Sequence, residues 1–568
     1  MQSYRGIPAS PGIAIGPAFC LQETDLSFER YTVSEIETEL ERFEGARKAA
    51  AGQIAQIKEK AQAEATADEA AIFDAHALFL EDPALVDAIQ MSISKHRLNA
   101  EAAVLDAVEV QASTLEAMED EYFRARAADV RDVGQRLLRN LLNLCESDLS
   151  NLKQPSIILA RDLTPSDTVR LDKSLVLGFL TALGGPTSHT AILAKALNLP
   201  AVVGVGEAVL KITSGSVLTI DGSSGDVIAN PDEATRSEFT ERKRKYLAES
   251  TLALSRAHES ATTQDGFTVE IVANVGNPAD TQQALDHGAE GIGLLRTEFL
   301  YMERPTAPDE EEQLAAYDAI LDLMQERPVV VRTLDVGGDK AIPYLDLGVE
   351  ANPFLGWRAI RMTLDEPDFF KIQLRALLRA SPGHDLRIMF PMIATLQELR
   401  SARALLAEAQ DEVLTAGYPV AEKIQVGIMV EIPSVAVLAD RFAHEVDFFS
   451  IGTNDLTQYT MAAERTNEKV AYLGDACHPA ILRQIQRVIQ AAHQEGIWVG
   501  LCGELAGDAD AIPILLGLEL DEFSMAPAAI PRAKDIIRRW RVSDAQKIIE
   551  TVLDLDSAQD VRTYIRQS

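Results

Sequence analysis

From Gln264 onward, short apolar and β-branched runs recur with helix-forming segments between them: TVEIVANV, EGIGLLR, PVVVRTLD, LRIMFPM, IQVGIMVE, DFFSIGTN, WVGLCGE and EFSMA. Eight strand–helix units over about 300 residues predict a (β/α)8 barrel, a fold that carries its reactive groups at the C-terminal ends of its strands. Those ends hold Asn274, Arg296, Arg332 with Asp335, Met392, Glu431, Asn454 with Asp455, Cys502 and Ser524. A barrel serving only as scaffold has no use for so many polar and reactive side chains at one rim.

Arg296 and Arg332 suit a multiply charged anion, because guanidinium forks grip carboxylate or phosphate oxygens in pairs. Lys340 and Arg358 lie on loops leaving the same mouth, and Arg465 follows the sixth strand. Singly each is an ordinary surface base; grouped at one end they read as an anion clamp. Glu431 and Asp455 offer hard oxygens from consecutive strands, as Mg²⁺ prefers, or else they neutralise the arginines. Cys502 reads as a general acid or as a small buried hydrophobe. The barrel therefore predicts a small, doubly anionic, magnesium-bound substrate that receives a proton.

A second unit carries GGPTSHTAILAKALNLPAVVGV, residues 184–205. Thr187 or Ser188 suits an N-cap, Pro200 marks the stop, and Ile192, Leu193, Ala196 and Leu197 form the expected apolar face. His189 then stands in the first helical turn, where unpaired N–H groups favour a neutral ring and welcome a phosphate. A histidine that merely caps the helix is the plain alternative. Phosphoenolpyruvate meets both demands, giving a phosphate to histidine and accepting a proton at the enolate carbon.

The remaining texture divides the chain. Residues 1–24 and 145–230 read as one compact α/β unit, interrupted by a helical bundle over 25–144 that is almost free of Gly and Pro. Residues 231–260 are highly charged and read as an exposed connecting helix, with the barrel over 261–568. Four scattered cysteines, no apolar run of membrane-spanning length and no secretory signal predict a soluble cytoplasmic protein. A net charge of −34 argues against nucleic acid and anionic membranes and allows a basic protein partner.

The motifs SPGIAIGPA, RAADVRDVGQRLLRN, DLTPSDT, GGPTSHTAILAKALNLPAVVG, GIGLLRTEFL, RTLDVGGDK, NPFLGWR, IPSV after Glu431, FFSIGTNDLTQYTMAAERTN and LCGELAGD occur in this order. Over essentially its full length the chain resembles the phosphoenolpyruvate–protein phosphotransferases, enzyme I of bacterial sugar phosphotransferase systems. The resemblance implies a swivelling phosphohistidine α/β domain with an inserted helical bundle, a connecting helix and a C-terminal TIM barrel. It makes His189 the phosphorylated residue, with Thr168 orienting its ring. Arg296, Arg332, Lys340, Arg358, Arg465 and Asn454 become the phosphoenolpyruvate clamp, Glu431 and Asp455 the Mg²⁺ ligands, and Cys502 the acid that forms pyruvate. It further implies onward transfer to the histidine phosphocarrier HPr through the insert, and a homodimer formed by the barrel.

The insert carries a matching signal: residues 61–90 hold seven Asp/Glu and no Lys or Arg, around an apolar patch. Asp68, Ala71, Leu78, Phe79 and Leu85 are the candidate HPr contacts, although a solvated helix face in an acidic protein reads the same way. His76 nearby lacks the glycine turn and is expected to pack or cap. One departure is Pro186, where the family commonly has arginine; it removes a charge and an N–H. Of the alternatives, a dikinase needs an ATP-grasp domain that no stretch here is long enough to supply. A nitrogen-branch regulatory paralogue, phosphorylating an HPr-like carrier, would carry a sensor domain ahead of SPGIAIGPA. A docking scaffold would have lost part of the reactive set.

Overall fold

A computed structural model describes residues 1–21, 26–64, 76–116, 121–144, 152–164, 167, 171–185, 188–302, 304, 306–337, 342, 344–345, 350–464, 467 and 470–568, without the side chains at 59–64, 116, 121–128, 189 and 196. The chain forms two compact units, Met1–Ala248 and Glu249–Ser568. Pro186, Thr168, Lys340, Arg465, Asp68 and Ala71 lie outside the described residues.

In the first unit, β1 (Gln2–Arg5), β2 (Ile7–Ser10), β3 (Ile13–Cys20), β4 (Ser156–Ala160), β5 (Val176–Thr181), β6 (Ala201–Val203), β7 (Val217–Asp221) and β8 (Asp226–Ala229) form a sheet in the order β1-β8-β7-β3-β4-β5-β6-β2. Strand alternation splits its residues between two cores. Ile158, Ala160, Phe179 and Val203 pack on one face, and Ile157, Leu159, Leu180 and Val202 on the other. The helical insert is the crossover between β3 and β4, which pair in parallel.

That insert contains α1 (Ile36–Glu64), a helical turn at 76–81, α2 (Pro83–His96), α3 (Ala100–Glu116) and α4 (Glu121–Leu141). Asp82 caps α2 by accepting from the Ala84 N–H, with Pro83 in the first turn where its missing donor costs nothing. Phe43, Ile54, Ile89, Val104 and Leu137 build the bundle core. Gly134 lets α4 approach α3, since a Cβ there would lie 2.6 Å from Val108 Cγ1. Of the expected surface contacts, Leu78 is exposed and Phe79 is half-buried against the core. Leu85 is a correction: it belongs to the bundle core, because it falls one helical turn before Ile89 on the inward stripe of α2. His76 is buried with Nε2 3.4 Å from Asp129 Oδ1, in keeping with a packing role.

The His189 helix, α5 (His189–Ala196), begins where the sequence predicts, with Ser188 as N-cap accepting from the Ala191 N–H at 3.4 Å. Gly184 enters the turn at φ +97°, a conformation that a side chain would strain. The inward face differs from expectation. Thr190, Ala191, Leu193 and Ala194 are buried, whereas Ile192 is 58% exposed. With the helix starting at residue 189, the stripe toward the sheet runs through 190, 191 and 194, which turns Ile192 outward.

A third region of helix, α6 (Glu233–Ser255), runs across the boundary between the units, and Phe239 and Ala253 are its buried residues. In the second unit a short β9 (Ala261–Thr262) pairs antiparallel with the start of β10. All eight expected runs then appear as parallel strands: β10 (Thr268–Val275), β11 (Ile292–Leu295), β12 (Val329–Arg332), β13 (Leu386–Phe390), β14 (Gln425–Val430), β15 (Phe448–Ile451), β16 (Trp498–Leu501) and β17 (Glu522–Met525). Pairing of β10 with both β11 and β17 closes the barrel. Val329, Val331, Ile388, Phe390, Ile428 and Val430 face the helical layer, while Val330, Met389 and Met429 point inward.

The barrel floor holds an unusual carboxyl. Glu522 is fully buried beside its register partner Glu270, and burial, reinforced by the Glu270 charge, pushes its pKa up to about 8. Folding therefore takes up a proton, and the resulting stability is full below the ordinary value of 4.5 and lost as pH rises through about 8. Glu522→Gln removes that dependence. The variant's stability is expected to gain on the parent's between pH 5 and pH 8, by at most about 1.4 kcal/mol per pH unit, read as a widening gap between the two thermal midpoints that levels off above pH 8. Parallel pH profiles of the two midpoints would contradict this.

Candidate active site

The inward positions continue past the strand ends in steps of two. Leu294, Val330, Met389, Met429, Phe448 and Cys502 pack together inside the barrel. The next step brings Arg296 after Leu294, Arg332 after Val330 and Glu431 after Met429 to the C-terminal rim. A cavity of about 270 Å³ opens there, lined by Arg296, Glu298, Arg332, Asp335, Arg358, Glu431, Asn454, Asp455 and Cys502.

Its walls are an alternating chain of buried charges. Glu298 pairs with Arg332, whose Nη1 lies 3.1 Å from Asp335 Oδ2. Asp335 in turn holds Arg358 through two bonds of 2.9 and 3.0 Å, and Arg358 Nη1 reaches Asp455 Oδ1 at 3.2 Å. The sequence places Arg358 on a loop at the mouth; the structure buries it to 1% exposure, because carboxylates on both sides replace its water. These carboxylates hold both guanidiniums protonated, Arg332 and Arg358 alike, with pKa values above the ordinary range despite the opposing effect of burial. Arg296, by contrast, is exposed in the cavity and available to an incoming anion.

Glu431 sits at the end of this chain. Its Oε1 accepts from the Met392 N–H at 2.6 Å, and its Oε2 is buried without a hydrogen-bond partner among the described residues. Met392 takes a left-handed φ of +55° to aim that N–H, a strained conformation held by its fully buried setting. Burial first, then the Asp455 and Asp335 charges, push the Glu431 pKa up to about 8. Among the described residues no group of three or more His, Cys, Asp or Glu is arranged to hold a metal. An orphaned buried oxygen on Glu431 next to Asp455 instead fits a hard divalent cation that takes its other ligands from substrate and water.

The Cys502 thiol lies at the cavity wall, and burial raises its pKa to about 11, so it stays protonated and able to donate. Asn454 is braced by accepting from the Glu504 N–H at 3.3 Å. Asp335, named above only as a strand-end residue, holds Arg358, and Glu298 and Tyr459 join the site as well. Glu298 follows Arg296 by two residues on the same rim, and Tyr459 lies one helical turn after Asp455. The Tyr459 hydroxyl accepts from Arg358 Nη1 at 3.2 Å and donates to the Phe354 carbonyl at 2.5 Å. Helical spacing from Asp455 was the available signal for it.

The chain matches three family models: PEP-utilising enzyme, N-terminal, over residues 5–126; its mobile domain over 152–225; and its PEP-binding domain over 252–542. A phosphoenolpyruvate-protein phosphotransferase of Geobacillus stearothermophilus is 49% identical over 567 residues, covering 100% of this chain and 98% of the relative. One from Bacillus subtilis strain 168 is 48% identical over 568 residues, covering 100% of both. Another, from Staphylococcus carnosus, is 48% identical with 100% and 99% coverage. The chain belongs to the phosphoenolpyruvate-protein phosphotransferase family. The family's PEP-binding-domain model falls on the barrel with the charged cavity, and its mobile-domain model falls on the sheet and helix that present His189. Among the described residues no helix is long and apolar enough to cross a membrane.

Proposed function

We propose that this chain takes the phosphoryl group of phosphoenolpyruvate at the barrel rim, carries it on His189, and passes it to an HPr-type histidine phosphocarrier, releasing pyruvate. The observation that supports this best is the buried ladder of carboxylates and guanidiniums converging on one cavity with a protonated thiol at its wall.

In this reading Arg296 grips the phosphate or carboxylate from the open side of the cavity. Arg332 and Arg358, pre-oriented by Glu298, Asp335 and Asp455, hold their guanidinium donors in place, so that they need no reorganisation when substrate arrives. Lys340 and Arg465 complete the clamp, and Thr168 orients the His189 ring. Glu431 and Asp455 would hold Mg²⁺, which supplies Lewis-acid neutralisation of the substrate's oxygens. As the phosphoryl group leaves, Cys502 protonates the enolate carbon. The start of α5, with Ser188 capping it, leaves N–H groups beside His189 to steady the bound phosphate.

His189 and the cavity belong to separate compact units. We infer that the α/β domain (1–24 and 145–230) swings on the 231–260 segment, visiting the barrel (261–568) and then a basic carrier docked on the acidic insert (25–144). Leu78 and Phe79 remain candidate contacts, with Asp68 and Ala71. A homodimer through the barrel and a cytoplasmic location complete the proposal. Phosphoenolpyruvate, Mg²⁺ and an HPr-type carrier are expected to yield pyruvate without nucleotide. A requirement for ATP, or no pyruvate at all, would defeat the reading. Cys502→Ala is expected to slow pyruvate formation by about 10²- to 10³-fold while leaving carrier binding unchanged.

A further inference from the structure

We propose that Asn274 and Ser524 are positioning residues for proton delivery by Cys502; the proposal rests on the role given to Cys502 above. The backbone around this thiol is held on several sides. Its N–H donates to the Ile451 carbonyl at 3.1 Å. Its own carbonyl accepts from Asn274 Nδ2 at 2.9 Å, and Asn274 Oδ1 accepts from the Ser524 hydroxyl at 2.6 Å. On the far side the chain runs so close to Thr453 that a Cβ at Gly503 would lie 1.8 Å from Thr453 Oγ1.

The relay fixes its own orientation. A backbone carbonyl can only accept, so Asn274 must turn its NH₂ toward Cys502 and its oxygen toward Ser524. Ser524 is fully buried and sits against Gly293, where a Cβ would lie 2.5 Å from its hydroxyl. Residues from β10 and β17 thus pin the peptide that follows β16. Asn274 and Ser524 are not among the residues lining the cavity, so they act on substrate through Cys502.

The step they serve is sensitive to placement. The phosphoryl group moves from the enol oxygen to an imidazole nitrogen of His189, and the electron pair of the broken P–O bond leaves an enolate. C-3 of the enolate then bonds to the thiol hydrogen, the S–H electron pair stays on sulfur, and the thiolate regains a proton from water. A donor held on one side of a planar enolate delivers to one face. A donor displaced by about 1 Å loses about 10²-fold in rate and leaves protonation to water from either face.

The test is single-turnover pyruvate release by the full chain with Mg²⁺ and phosphoenolpyruvate carrying one deuterium at C-3 as a single geometric isomer (Z), run in tritiated water. The chirality of the pyruvate methyl group reads the face protonated. The parent is expected to protonate one face. Asn274→Ala and Ser524→Ala are expected to lower the maximal rate about 10- to 100-fold and about 3- to 10-fold respectively. Half-saturation by phosphoenolpyruvate should stay within about twofold, and product from the opposite face should appear in Asn274→Ala as its rate approaches that of Cys502→Ala, while Ser524→Ala keeps most of its selectivity at a lowered rate. If Asn274→Ala does not fold, Ser524→Ala alone decides. A folded variant with parental rate and full selectivity overturns the proposal. A parent that forms no pyruvate overturns the proposed function instead.

Discussion

Replacing His189 with alanine is expected to abolish phosphoryl capture, lowering single-turnover pyruvate release by at least about 10⁴-fold, as loss of a nucleophile does. The fold around the residue should not notice. His189 is the first residue of α5, and the helix start is made by the Ser188 cap and by Thr190, Ala191, Leu193 and Ala194 packed on the sheet. Alanine is the best helix former, so the helix start keeps its backbone turn and its Ser188 cap. The thermal midpoint is expected to stay within about 2 °C of the parent. Phosphoenolpyruvate binding should also persist, because the cavity lies in the other compact unit. Retained phosphorylation at full stoichiometry, measured by acid-labile label, would remove His189 from the pathway.

Glu431→Gln is expected to have the second largest effect, on a different quantity. The amide keeps the shape of the side chain and can still accept from the Met392 N–H. It cannot supply a charged oxygen to a divalent cation. We expect kcat/KM for phosphoenolpyruvate to fall about 10³-fold and the remaining activity to lose most of its dependence on Mg²⁺. Stability should not fall with it, because a carboxyl whose pKa stands at about 8 already gains little from being charged there. Calorimetry in Mg²⁺ titrations checks both halves. A variant that stays fully active with an unchanged Mg²⁺ requirement would place the cation elsewhere.

Much of this was legible in the sequence. Barrel strands buried on both faces read as continuous apolar runs, so all eight could be found, and stepping two residues past Leu294, Val330 and Met429 lands on Arg296, Arg332 and Glu431. Ser188 and His189 fell where cap chemistry puts them. Pairing across the rim was not legible. Glu298 and Arg332 are 34 residues apart, and Asp335 and Arg358 are 23 apart, so nothing local joins them. Arg358 in NPFLGWR reads as a surface base for that reason, although Asp335, Asp455 and Tyr459 enclose it. Leu85 and Ile192 were misplaced by a simpler cause. Helical phase depends on where the helix starts, and a shift of one residue turns a side chain by about 100°.

The most direct measurement follows the phosphorus itself. The full chain is mixed with phosphoenolpyruvate labelled in its phosphate and with Mg²⁺, without any carrier, and then digested and mapped. The account predicts one pyruvate per chain and an acid-labile, alkali-stable label confined to the peptide that contains His189. Pyruvate released without label on that peptide, or label on any other residue, would contradict it.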